Sequence, residues 1–78
     1  MKITVELRGY LDQYAPTDAA TFPYEMPDGA TVGDVIRRLH IPDDLSAATI
    51  INGEATDPAQ PLAEGNRLTL VPPLAGGS

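Results

Sequence analysis

The chain has no cysteine and a single histidine, His40. Without cysteine there is no disulfide, no thiolate nucleophile and no sulfur ligand for a metal, and one imidazole leaves little for acid–base catalysis or a histidine metal site. Basic residues are also scarce. Five Lys and Arg against eleven Asp and Glu give a formal net charge of −6 and a pI near 4.3. That balance argues against nucleic acid and anionic membrane surfaces, which select for Lys and Arg, and favours a basic protein partner. Long apolar runs are missing too. No window approaches the roughly 20 residues of a membrane span, and Met1-Lys2-Ile3-Thr4-Val5 lacks the features of a signal peptide, so a soluble cytoplasmic protein is expected. With 78 residues the chain has room for one thin-cored domain and none for a separate catalytic one. No nucleophile and base form an evident pair, so the chain is not expected to be an enzyme.

What is present reads as short strands around one helix. Residues 2–8 alternate, with Ile3, Val5 and Leu7 on one face and polar residues opposite. The alternation is lost from Gly9 to Ala20, and Pro16, Thr17 and Asp18 mark this stretch as a loop, although Leu11 and Tyr14 are spaced to share a helical turn. Phe22, Tyr24 and Met26 alternate in a second strand, Thr21–Met26, and Pro23 places it at a sheet edge because its missing N–H interrupts pairing on one side. Thr31 with Asp34 three residues on resembles a capping box, and Val32, Val35, Ile36 and Leu39 form one apolar stripe. That helix should stop by Ile41, ahead of Pro42. Thr49-Ile50-Ile51 leads into Asn52-Gly53, a type I′ hairpin signal, followed by a brief strand Glu54–Thr56. After a loop anchored by Leu62, Arg67–Val71 forms the last strand, with Leu68 and Leu70 facing inward. Ile50 is expected to join the core set. The first and last strands should pair in parallel through the crossover, giving a two-layer α+β domain.

The C-terminal stretch has a different character. Pro72-Pro73 stops the last strand and holds the chain extended, and the residues from Pro72 to Gly77 reach at most about 20 Å. Gly76-Gly77 carries no side chains and can enter a channel too narrow for any residue with a Cβ. Other features have plainer readings. His40 sits at the helix end in a structural or solvent role, and Asp43, Asp44 and Asp57 are solvated charge without a completed metal-ligand spacing. Arg37 and Arg38 form an exposed helix face, and Tyr10, Tyr14 and Tyr24 serve loop and edge packing.

Three segments carry a resemblance: Ile51-Asn52-Gly53-Glu54, then Pro61-Leu62-Ala63-Glu64-Gly65-Asn66-Arg67-Leu68, then Val71-Pro72-Pro73-Leu74-Ala75-Gly76-Gly77. Their order resembles that of the ubiquitin-like β-grasp sulfur carriers of the MoaD/ThiS family, and most of all the molybdopterin synthase small subunit. The resemblance implies an α+β fold of ubiquitin-like β-grasp type, a mixed four- to five-stranded sheet with one main helix packed on one face. It divides the chain into a β-grasp domain, residues 1–71, and a flexible diglycine tail, residues 72–78. It also implies that Gly77 is adenylated by a ubiquitin-activating-like adenylyltransferase and converted to a thiocarboxylate that donates sulfur in molybdopterin- or tungstopterin-type cofactor biosynthesis. On this reading Pro72, Pro73, Leu74, Ala75, Gly76 and Gly77 thread the partner's channel, and Val71, Glu6, Arg67 and Arg8 meet the partner. No cofactor or metal is bound by the chain; ATP and metal belong to the activating enzyme. A synthase large subunit is a further implied partner. The alternatives are a ubiquitin-like modifier conjugated through Gly77 to lysines and a non-covalent β-grasp interaction module.

Two departures qualify the likeness. Ser78 follows the diglycine, so the Gly77 carbonyl is an amide until Ser78 is removed, which calls for a protease if Ser78 is native. The outward positions of the first and last strands are Thr4, Glu6, Thr69 and Val71, of which Val71 alone is apolar, so docking by complementary charge is expected rather than a large apolar interface.

Overall fold

The computed structural model describes residues 1–42 and 48–72. In chain order the strands are β1 (Lys2–Leu7), β2 (Thr21–Glu25), β3 (Ala48–Ile51), β4 (Glu54–Thr56) and β5 (Arg67–Val71), and helix α1 (Val32–Arg38) lies between β2 and β3. The sheet order is β2-β1-β5-β3-β4. β1 and β5 pair in parallel, Val5 opposite Leu68 and Leu7 opposite Leu70, and every other pairing is antiparallel. β2 is an edge strand, as Pro23 requires. Among the described residues one α-helix packs on one face of a mixed five-stranded sheet, which is the ubiquitin-like β-grasp.

The core lies between α1 and one sheet face. Alternation buries Ile3, Val5 and Leu7 from β1, Phe22 from β2, and Leu68 and Leu70 from β5 against Val32, Val35, Ile36 and Leu39. Tyr24 packs against this cluster and meets Phe22 edge to face, their ring centroids 5.8 Å apart. Leu11, Met26, Ala30, Ile41 and Leu62 complete it from the connections.

The helix starts where the capping box places it. The Thr31 N–H donates to Asp34 Oδ2 at 2.9 Å, and the Asp34 N–H donates to Thr31 Oγ1 at 3.3 Å. The next two amides are satisfied from outside the helix, Val32 N–H by the Gln60 carbonyl at 3.0 Å and Gly33 N–H by the Pro58 carbonyl at 2.8 Å. At the other end His40 takes a left-handed φ of 62°. Its N–H donates to the Arg37 carbonyl, and Ile41 N–H donates to the Ile36 carbonyl, which is the hydrogen-bond pattern of a Schellman cap. His40 therefore stands where glycine is usual, and Ile41 is turned back into the core.

Two expectations change. The stretch after β1 contains a 3-10 helix, Gly9–Tyr14, with Leu11 fully buried. The pairing of Leu11 and Tyr14 outweighs the loop signals that follow it, and both side chains reach the core cluster. Ile50 does not join the core. Its partner on β5 is Thr69, whose hydroxyl bonds to Glu6 on the face away from α1, so Thr49 and Ile51 point inward instead. The helix ends at Arg38, a few residues before the limit set by Pro42, because the left-handed turn at His40 intervenes. The Asn52-Gly53 hairpin is as expected, with φ of 51° and 87°. Leu45 and the pair Asp43-Asp44 lie outside the described residues.

Candidate functional site

The sheet face turned away from α1 is set by register. Glu6 on β1 lies opposite Thr69 on β5, Thr69 opposite Ile50 on β3, and Ile50 opposite Ala55 on β4, forming one row across four strands. Flanking rows pair Thr4 with Arg67, and Val71 with Ala48. This face therefore has a polar side over β1 and a small-apolar side made by Ile50, Val71, Ala48 and Ala55.

Glu6 organises the polar side. Its Oε1 accepts from Arg67 Nη2 at 3.1 Å and from Thr69 Oγ1 at 3.3 Å, and its Oε2 lies 3.4 Å from Arg8 Nε. The Arg67 hydrogen bond is the main reason the Glu6 carboxyl is held below its ordinary value of 4.5; partial desolvation opposes it, and the charges of Arg8 and Arg67 and the Thr69 hydroxyl add to it. Arg8 and Arg67 keep 62% and 54% of their side-chain surface exposed, so each remains open to an outside acid while tied to Glu6.

Four residues were expected from sequence to meet a partner: Val71, Glu6, Arg67 and Arg8. The structure brings Glu6, Arg67 and Arg8 into one ion-pair group and places Val71, half-buried, at the far end of β5. Ile50 was missed. In the run Thr49-Ile50-Ile51 two adjacent isoleucines satisfy either parity, and a two-residue hairpin fixes the partner of Ile51 without fixing its face. Only the pairing with β5 decides it.

Pro72 is half-buried just past β5. β5 is bonded on both flanks at its C-terminal end: Arg8 N–H donates to the Leu70 carbonyl at 3.0 Å, and Ala48 pairs with Val71. Of the expected tail residues, Pro73, Leu74, Ala75, Gly76 and Gly77 lie outside the described residues, as does Ser78.

The remaining candidates take structural places. Asp57 closes its own turn, its Oδ1 accepting from Ala59 N–H at 2.9 Å. Arg37 pairs with Asp34, and Arg38 extends toward the Glu25 carbonyl and the Met26 sulfur. Tyr14 and Tyr24 pack on the core, while Tyr10 is exposed. Among the described residues no group of three or more His, Asp and Glu is placed to hold a metal, and no helix is long and apolar enough to cross a membrane.

The profile of the ThiS family matches residues 9–77. The chain belongs to the ThiS family. Among solved structures, this ThiS-family chain is similar to SAMP1 from Haloferax volcanii, with 25% identity over 99% of this chain and 100% of that one and a TM-score of 0.74. A second structure, described as the H. volcanii small archaeal modifier protein 1, is 24% identical over 94% of this chain and 98% of the other, with a TM-score of 0.73. Subunit 1 and subunit 2 of the molybdopterin-converting factor from Helicobacter pylori 26695 have been solved as a protein–protein complex. The matched chain of that complex is 20% identical, covered over 99% of this chain and 100% of its own length, with a TM-score of 0.63. No curated protein sequence matches the chain. Members of this family are small carrier proteins, and the fold is shared by sulfur carriers and ubiquitin-like modifiers.

Proposed function

We propose that this ThiS-family chain is a sulfur carrier whose Gly77 is adenylated by a separate ATP-dependent activating enzyme and converted to a thiocarboxylate, which donates sulfur in the making of a molybdopterin- or tungstopterin-type cofactor. The observation that carries this reading is the family match, which runs through the diglycine and stops at Gly77. A carboxylate is a poor electrophile. Attack of a Gly77 carboxylate oxygen on the α-phosphorus of ATP expels pyrophosphate and leaves an acyl adenylate; a sulfur nucleophile then adds to the acyl carbon and AMP departs. Every catalytic group, with the ATP and its metal, belongs to the activating enzyme, and this chain supplies the acyl end. Ser78, where native, is first removed by a protease.

The outer sheet face supplies the docking surface. Ile50, Val71, Ala48 and Ala55 offer apolar contact beside the Glu6, Arg67 and Arg8 group, so a partner with small apolar side chains and complementary charge fits it. The H. pylori complex supports a synthase large subunit as one such partner. Pro72 and Pro73 stiffen the tail and reduce the entropy lost when it docks.

The chain ending at Gly77, incubated with ATP, its cognate activating enzyme and a sulfur donor, is expected to support ATP–pyrophosphate exchange and to gain the mass of one oxygen replaced by sulfur. Absence of exchange with every cognate enzyme would sink this reading. The likeness to SAMP1 favours a second one, conjugation through Gly77 to lysines of other proteins. Gly-Gly remnants on lysines in cells expressing the chain, absent when Gly77 is deleted, would establish it.

A further inference from the structure

We infer that Lys2 is the amine of this chain that an activated Gly77 acylates, so that copies of the chain join through a Gly77–Lys2 amide. The inference rests on the activation of Gly77, a step that the carrier and modifier readings share. Four of the five basic residues are arginine, and Lys2 is the single lysine. Arginine keeps its proton at neutral pH and is no acyl acceptor there. With cysteine absent as well, the nitrogens left to compete are Lys2 Nζ and the α-amine of Met1. In the step itself Lys2 Nζ adds through its lone pair to the acyl carbon of the Gly77 adenylate. The C–N bond forms, the bond from the acyl carbon to the phosphate oxygen breaks, AMP leaves with the electron pair, and the proton lost from nitrogen passes to solvent.

The structure separates the two nitrogens. The Met1 amine donates to the Met26 carbonyl at 2.6 Å and lies 3.6 Å from Asp28 Oδ1, and Met26 N–H donates back to the Met1 carbonyl at 2.9 Å. The Met1 side chain packs on the core with 5% of its surface exposed, so attack by this nitrogen requires the start of β1 to lift away from β2. Lys2 has a fixed backbone and a free side chain. Its N–H donates to Glu64 Oε1 and its carbonyl accepts from Gly65 N–H, both at 2.9 Å. The residue is exposed, and its ammonium has no hydrogen-bond or ion-pair partner among the described residues. Lys2 and the base of the tail also lie at opposite ends of the parallel β1–β5 pair. Lys2 starts β1 while Pro72 lies past Leu70, the partner of Leu7, so about 20 Å of strand at roughly 3.3 Å per residue separates them. Six residues from Pro72 to Gly77 span at most about 20 Å, so closure onto the same chain demands full extension. A second copy presents its Lys2 without that restraint. With one acyl end and one acceptor per copy, the product is linear and every joint is the same.

The test incubates the chain ending at Gly77 with ATP and its cognate activating enzyme, without a sulfur donor, and reads intact mass and peptide maps. The parent should give linked dimers and longer species, each joint lighter by one water, with Gly77 mapped to Lys2. Lys2→Arg keeps the charge and should lose the linked species while pyrophosphate exchange stays at the parent rate. Linked species undiminished in Lys2→Arg, a bond mapped to Met1, a cyclised monomer as the main product, or exchange without any linked product in the parent each overturn the inference. Absence of exchange overturns the activation reading instead, and a second measurement then decides on Lys2. The parent is labelled with a limiting amount of the N-hydroxysuccinimide ester of acetic acid, once folded and once in urea. The ratio of label on Lys2 to label on Met1 should rise severalfold on folding, and a ratio that folding leaves unchanged overturns the choice of Lys2.

Discussion

Glu6 is a surface acid with three partners, and the sum is worth more than any one. Exposed ion pairs typically contribute about 0–1 kcal/mol each, because water and side-chain entropy oppose them. Glu6 is better placed, with 21% of its side chain exposed and the nearly buried Thr69 hydroxyl among its donors. The sign of its pH dependence follows from its lowered pKa. Above its ordinary 4.5 the carboxyl is ionised in folded and unfolded chains alike, and its contribution is complete. As the pH falls below that value the unfolded chain takes up the proton first, so stability is lost until the lower folded pKa is passed. Glu6→Gln should therefore flatten part of the stability loss below pH 4.5, followed by urea melts at stepped pH, with an unchanged slope as the contrary result. Asp34, lowered chiefly by its hydrogen bond from the Thr31 backbone N–H, keeps a smaller acid slope in that variant. Alternation put Glu6 on the outward face of β1, but its pairing with Arg8 and Arg67 was not read from the sequence and comes from the structure. Neither was the bond of the Thr69 hydroxyl, since a threonine on an outward strand position carries no mark of its acceptor.

At the scale of elements, α1 is short and leans on its ends. Seven residues make too little helix to persist unaided, so its caps and its buried stripe matter. Thr31→Ala removes the hydroxyl that accepts from Asp34 N–H and should cost about 0.5–2 kcal/mol, read as a lower urea midpoint at unchanged m-value. The Thr31–Asp34 signature was readable because it is written in side chains. The two amides that follow it were not, because their acceptors are the carbonyls of Pro58 and Gln60, and a backbone carbonyl leaves no trace in residue identity. The same holds for the helix end. Pro42 set an outer limit, but the stop comes from His40 in a conformation that composition assigns to glycine. Strand β3 failed for another reason: in Thr49-Ile50-Ile51 the face is a property of the neighbouring strand.

For the whole molecule, size governs the margin. At about 0.05–0.15 kcal/mol per residue a chain of this length has roughly 4–12 kcal/mol of stability. Leu11, fully buried although it sits outside the sheet and α1, fills the end of the core beneath the 3-10 helix. Leu11→Ala should cost about 2–5 kcal/mol, a large share of the total, and thermal unfolding followed by circular dichroism should show a correspondingly lower midpoint. A loss well under that range would mean the end of the core collapses onto the gap. The fold was legible because alternating and 3.6-residue patterns agree with one topology throughout; the make-up of the outer sheet face was only half legible, since its apolar half depends on register.

The parallel pairing of β1 with β5 has a mechanical meaning as well. One strand begins near the first residue and the other ends where the tail departs, so a pull between Met1 and the tail runs along both strands and loads their ladder in shear. From Thr4 opposite Arg67 to Leu7 opposite Leu70 the cross-strand bonds share that force rather than opening one after another. A machine that grips this protein by its tail pulls against the strongest direction of the sheet.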